Sequence, residues 1–228
     1  MSNYNFGRGG DCYPRVSHVG QWIPEAGTPV DPCPIVEREK IITQDSLEWA
    51  EYDDLYQNGY PSCTLHGLGN AIMIFLSSRG RAKSDLDPHK AWIECTGGEG
   101  GYPIDAALVY GINKGFPTKD GSARVFVTEA FDCDTVLKVW SAVQRGDPVV
   151  FGHYAPRGHC ECGLWIEIVG NDILLVTRGS YGKTYYNGSA YHRVPERDLA
   201  QGIPDFGAFA IREVQLRPVD VVGPDVKG

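Results

Sequence analysis

The chain has no apolar run long enough to cross a bilayer, so no membrane-spanning helix is expected. It is poor in basic residues: 21 Lys and Arg stand against 29 Asp and Glu, the formal net charge is −8, and no Lys/Arg cluster occurs. Phosphate contacts need such clusters, so a nucleic-acid coat is excluded. The N-terminal stretch MSNYNFGRGGDCYPR lacks the apolar core of a signal peptide. There are seven cysteines, an odd number. Without an export signal this reads as mostly reduced thiols, with bridges inside an assembly or oxidising particle as the alternative. No internal repeat is found. The expected setting is intracellular or virion-associated.

What is present is ordinary for a globular protein of 228 residues, with 42% hydrophobic and 22% charged residues. Residues 1–40 are rich in Gly, Pro and polar side chains without sustained periodicity and read as an extended arm. Its Tyr13, Val16, Val19, Trp22 and Ile23 are apolar enough to dock on this protein or a neighbour. Beyond it, Leu65, Leu68, Ile72, Phe75 and Leu76 recur at helical spacing, which predicts a helix from Cys63 to about Arg79. A second helix is predicted over 103–114, and a third from a cap at Asp134 through Arg145. PVVFG, LWIEIVG, ILLVT, AYHRV and FGAFAIREVQL then read as strands, with a hairpin at Gly170, Asn171 and Asp172. Helices first and antiparallel strands later make the class α+β, with a cleft between unlike halves.

The stretch QNGYPSCTLHG carries the chemistry. Cys63 opens a helix, where backbone N–H groups and the macrodipole favour a thiolate. Gln57 can donate an amide hydrogen to an oxyanion. The bland alternative is a small residue packed at a cleft wall.

Gln57 and Cys63, the block LDPHKAWIECTGGEGGYPIDAALVYGINKG, GDPVVFG, and DILLVTRGSYGKTYYNGSAYHRV together resemble, in order, the motifs of papain-like cysteine peptidases over about residues 45–212. The resemblance implies a papain-like domain over 41–213, with a helical half at about 55–130 and an antiparallel, barrel-like β half at about 147–213. Residues 214–228 form a tail. It also implies Gln57 as oxyanion donor, Cys63 as nucleophile, and Gly100, Gly101, Tyr102 and Gly152 as substrate-binding positions. The family's cysteine bridge beside the nucleophile falls on Tyr60 and Gly98, so both halves are absent together.

Other departures concern catalysis. Counting back from Gly170 puts the family's general base at Leu164, and its orienting Asn falls on Gly179, with Tyr181 in place of Trp. Losing acid–base help costs on the order of 10²–10⁴ in rate. The family's inhibitory propeptide also exceeds the forty or so residues ahead of the resemblance. The expectation is therefore a non-catalytic structural or peptide-binding component, with a protein partner or the subunits of a larger assembly such as a virion. The alternative is an active thiol hydrolase using Cys63 with a relocated histidine, His153 ahead of His159. Both histidines otherwise read as solvated loop positions, as does Glu161, with Glu167 an exposed strand position. His66 reads as packing, and His18, His89 and His192 as surface. His153, His159, Cys160 and Cys162 are ligand types that zinc prefers, but Cys-x-Cys is tighter than most structural pairs and no second pair accompanies it. No metal and no cofactor is expected. Cys160 and Cys162 read as loop thiols or as disulfide partners for Cys95, Cys133 or another chain.

Overall fold

The computed structural model describes residues 57–79, 85–154, 158–181 and 191–219, with the backbone of residues 12 and 13. Most of the arm and the C-terminal tail therefore lie outside the described residues. The described part of the arm is a two-residue strand, β1 (Cys12–Tyr13).

The helical half opens with α1 (Cys63–Ser78), in which every residue from Cys63 to Leu76 is buried. The burial takes in the polar Thr64, His66 and Asn70 as well, so the helix is enclosed on all sides. Next come α2 (Pro88–Thr96), β2 (Tyr102–Pro103) and α3 (Ile104–Asn113). Strong local signals bound α2. The Asp87 side chain accepts the Lys90 amide at 2.9 Å, Pro88 starts the first turn, and Gly97 ends it at φ 71°. Then follow β3 (Phe116–Pro117), the ten-residue β4 (Ala123–Asp132) and α4 (Val136–Gln144). The cap of α4 is Thr135, which accepts the Lys138 amide, rather than the predicted Asp134. Asp134 instead pairs with Lys138 at 2.9 Å.

The predicted strands correspond to β5 (Val149–His153), β6 (His159–Val169), β7 (Asp172–Arg178), β8 (Tyr191–Pro195) and β9 (Ala208–Pro218). Between β8 and β9 lies an unpredicted helix, α5 (Glu196–Phe206). Seven strands form one antiparallel sheet in the order β3-β4-β9-β5-β6-β7-β8. This confirms an α+β fold, although β4 precedes α4 and α5 interrupts the strands.

The sheet is covered on both faces. Val150, Cys160, Cys162 and Leu164 share one core cluster with α1, α2 and α3. Val149, Phe151 and Ile166 join the other with α4 and α5. That is why β5 is a continuous apolar run rather than an alternating one: all five of its residues are buried. Just ahead of β5, the buried Asp147 carboxylate meets Arg212 at 2.9 Å and Arg79 and Arg145 at 3.4 Å. It ties the end of α1, the end of α4 and β9 to one point. None of the five described cysteines that show side chains (Cys63, Cys95, Cys133, Cys160 and Cys162) is in a disulfide.

Candidate active site

The segment from Gln57 to Cys63 is a tight turn. Asn58 and Gly59 take positive φ of 49° and 79°. The Tyr60 amide donates to the Gln57 carbonyl at 3.0 Å, and the Ser62 amide donates to the Tyr60 carbonyl at 2.8 Å. Gln57 and the first turn of α1 are thereby held as one unit. The Gln57 side chain donates from Nε2 to the Tyr60 carbonyl at 2.7 Å and accepts the Ser180 hydroxyl at Oε1. Its backbone amide donates to the Ser180 carbonyl at 3.0 Å. Nε2 carries a second N–H beyond the one spent on Tyr60.

Ser180 leads to the histidine. The Tyr181 ring lies parallel to the His159 ring, with centroids 4.0 Å apart. His159 starts β6, and the next residue, Cys160, packs on α1 at Gly67, where a Cβ would stand 2.9 Å from the Cys160 Sγ. Gly67 lies one turn along α1 from Cys63. Gln57 is thus linked through Ser180 and Tyr181 to His159, and β6 meets α1 through Cys160, the neighbour of His159. Thr64, beside Cys63, donates to the Tyr102 carbonyl at 2.7 Å, which fixes β2 next to the same turn.

Behind His159 lies a buried carboxylate. Glu161 Oε1 is 3.6 Å from His159 Nε2, and Oε2 is 3.1 Å from His192 Nδ1 and 3.8 Å from His153 Nε2. Thr177 donates its hydroxyl to the same carboxylate. The cross-strand pairs His153↔His159, Phe151↔Glu161 and Thr177↔His192 place these residues on one face of the sheet. Burial alone would raise the Glu161 pKa. The facing imidazoles of His153 and His192, with His159, outweigh it and hold the carboxyl well below the ordinary glutamate value. Burial pushes His159 down to about 3, which attraction to Glu161 only partly offsets. Burial also lowers His192, but the Glu161 contact more than reverses this and its pKa is raised. The resulting arrangement is an ionised carboxylate beside a neutral His159.

No protein-family model and no curated protein matches the chain. Solved structures do. Digestive procathepsin L 3 from the larval midgut of Tenebrio molitor aligns with TM-score 0.60 and 14% identity over 82% of this chain and 74% of that one. Xylellain, a cysteine protease from Xylella fastidiosa, gives 0.60 and 12% over 73% and 85%. The cysteine protease and lectin-like domains of Cwp84 from Clostridium difficile give 0.58 and 11% over 72% and 50%. The fold is papain-like.

Within this papain-like fold several expectations change. Leu164 is 3% exposed and lies in the core cluster shared with α1, beyond the point where β6 meets Tyr181. The imidazole stacked on Tyr181 is His159, five residues before Leu164 at the start of β6. His153 and His159 are buried strand residues, not solvated loop positions, and Glu161 is 1% exposed rather than on the surface. His192 is half-buried against Glu161. Glu167 is half-buried and paired with Arg193 at 2.7 Å. Gly152 is buried under α5, where a Cβ would stand 2.4 Å from the Phe206 Cβ. Gly100 is exposed, and its carbonyl accepts the Trp92 indole N–H at 2.9 Å. Gly101 is buried and Tyr102 half-buried, and β2 pairs in parallel with β1 through Cys12↔Tyr102 and Tyr13↔Pro103. Gly179, with no side chain, precedes Ser180. At the corner where the family bridge is missing, Tyr60 packs on His89 and Trp92 with centroids 4.5 and 5.5 Å apart, joining the Gln57 turn to α2.

Proposed function

We propose that the chain is a thiol hydrolase acting on peptide or related acyl groups, with Cys63 as nucleophile, His159 as general base and acid, the Gln57 amide as oxyanion donor and Glu161 as the group that orients His159. The observation that carries this reading is the His159 ring stacked on Tyr181, whose neighbour Ser180 grips Gln57. The stacking supports His159, rather than the Leu164 position, as the imidazole that serves Cys63.

In the reaction, the Cys63 sulfur attacks the substrate carbonyl carbon and its proton passes to the neutral His159. The second Nε2 hydrogen of Gln57 and the backbone N–H groups at the start of α1 meet the negative oxygen of the tetrahedral intermediate. His159 then protonates the leaving amine as the C–N bond breaks; water, giving a proton to His159, attacks the thioester carbon, the C–S bond breaks to release the acid, and the proton returns from His159 to the Cys63 sulfur. Glu161 Oε1 faces Nε2 and stabilises the imidazolium formed in each half-reaction, a task for which Gly179 offers no side chain. An extended substrate would run past Gly100 and Gly101, beside the Tyr102–Pro103 edge that β1 occupies.

The test is turnover of fluorogenic peptides and esters, with trapping by a peptidyl electrophile. Cys63→Ala is expected to abolish turnover. His159→Gln is expected to lower kcat by on the order of 10²–10⁴, and Gln57→Ala by about 10²–10³. If Cys63 reacts with iodoacetamide at a rate His159→Gln does not change, and no substrate turns over, the reading fails. A second reading is a non-catalytic binding component for a peptide or for subunits of an assembly. The pairing of Cys12–Tyr13 on the β2 edge favours it, because that edge is then filled by the chain itself. Under that reading Cys63→Ala leaves partner binding intact.

A further inference from the structure

His153, Glu161 and His192 stand 8 and 31 residues apart and form no sequence motif. The sheet gathers them. Their nearest ligand atoms all lie within 4.8 Å of one another. His153 Nε2 and His192 Nδ1 face the same carboxylate oxygen, Oε2 of Glu161, at 3.8 and 3.1 Å. In a tetrahedral zinc site with bonds of about 2.0–2.1 Å, neighbouring ligand atoms are about 3.3 Å apart, so small side-chain shifts close this set on an ion. A second feature points the same way: His153 is 1% exposed and neither ring nitrogen has a hydrogen-bond partner. Fully buried imidazoles are ordinarily bonded, and an ion at Nε2 would supply one of the two missing partners.

We infer that His153, Glu161 and His192 form a binding site for a first-row divalent ion such as zinc, set into the sheet behind His159. Two neutral imidazoles and one carboxylate are donors that this class of ion accepts, and they leave a position open for water or a further ligand. The three side chains stand on β5, β6 and β8, whose pairing fixes their spacing. Thr177 bonds the carboxylate from outside the donor set and orients it. His192 retains 34% side-chain exposure, so the site opens to solvent on that side. The other Glu161 oxygen, Oε1, stays directed at His159. An ion on Oε2 would draw charge from the carboxylate that orients the proposed base. The site uses none of the cysteines and does not depend on Cys63 being a nucleophile.

The experiment uses the full chain freed of metal with a chelator and titrated with Zn2+ in competition with a chromophoric chelator. The expected result is one ion per chain, with affinity reduced on the order of 100-fold in His153→Ala and in His192→Ala, and unchanged in Cys63→Ser. Binding lost in Cys63→Ser would place the ion at the thiol and overturn the assignment. Substitution with Co2+ in the wild type gives a check that needs no variant. Nitrogen and oxygen donors give d–d bands without a thiolate charge-transfer band. A charge-transfer band, an absence of saturable binding, or binding that both histidine variants leave intact would each overturn the site. His192→Ala, at the half-exposed position, keeps the comparison available if His153→Ala does not fold. A zinc site without peptide turnover would defeat the hydrolase reading alone.

Discussion

Acid should loosen this protein through one histidine away from the carboxylate cluster. His66 lies one turn along α1 from Cys63, is 3% exposed, and donates from Nδ1 to the Ser62 carbonyl at 2.9 Å. Burial lowers its pKa from the ordinary 6.5 to about 4. In the unfolded chain the imidazole takes up a proton near pH 6.5, while in the folded protein it stays neutral until pH nears 4. The unfolded state therefore binds more protons throughout that window. Its stabilising contribution is fully present above pH 6.5 and is lost as pH falls toward 4. Each unit costs about 1.4 kcal/mol, so about 2 kcal/mol is gone by pH 5 and about 3 kcal/mol by pH 4. His66→Gln keeps an N–H donor for the Ser62 carbonyl but cannot titrate. Urea unfolding of both proteins at pH 7.5 and pH 5 isolates the effect, because His159, His192 and Glu161 titrate in both and cancel in the double difference. The variant should lose about 2 kcal/mol less than wild type between the two pH values. Equal losses would mean that His66 is charged or solvated in the folded protein, and the reasoning would be wrong.

Asp147→Asn should destabilise by about 1.5–3 kcal/mol in denaturant titration, because Arg79, Arg145 and Arg212 lose the buried carboxylate they share while remaining partly solvated themselves. Gly67→Ala should cost about 1–3 kcal/mol, since the new Cβ meets the Cys160 Sγ at 2.9 Å; adding Cys160→Ala should recover most of it. Gly202→Ala should cost more than Gly67→Ala, with no comparable rescue, because its Cβ would stand 2.4 Å from the Gly152 carbonyl oxygen and 2.8 Å from the His153 Cα, which are backbone atoms. Thermal melts of the three glycine-site variants side by side check that order.

The elements that the sequence disclosed are those with local signals. Cys63–Ser78 carries a sustained helical period, and Val149–His153 and Asp172–Arg178 are short β-branched or leucine-rich runs bounded by turn residues. Ala123–Asp132 went unread because ARVFVTEAFD mixes charges into a strand whose partner, β9, is remote in sequence. Glu196–Phe206 went unread because Gly202 and Pro204 sit inside it; Gly202 is required there by the close approach of β5. At the site, Gln57 and Cys63 were legible because one turn holds both. His159 reads as a solvated loop position because GHCECG carries no alternating apolar pattern, yet it opens β6 and is buried. Glu161 was unreadable: an acidic residue between two cysteines looks solvated until the imidazoles of three strands are seen around it.

The aromatic contact of Tyr60 with His89 and Trp92 changes how the nucleophile's neighbourhood responds to redox conditions. The turn bearing Gln57 is fastened to α2 by ring packing, so thiol reductants have nothing to cleave at that corner. Cys63 can be kept reduced for labelling or turnover measurements without loosening the loop that would receive the oxyanion.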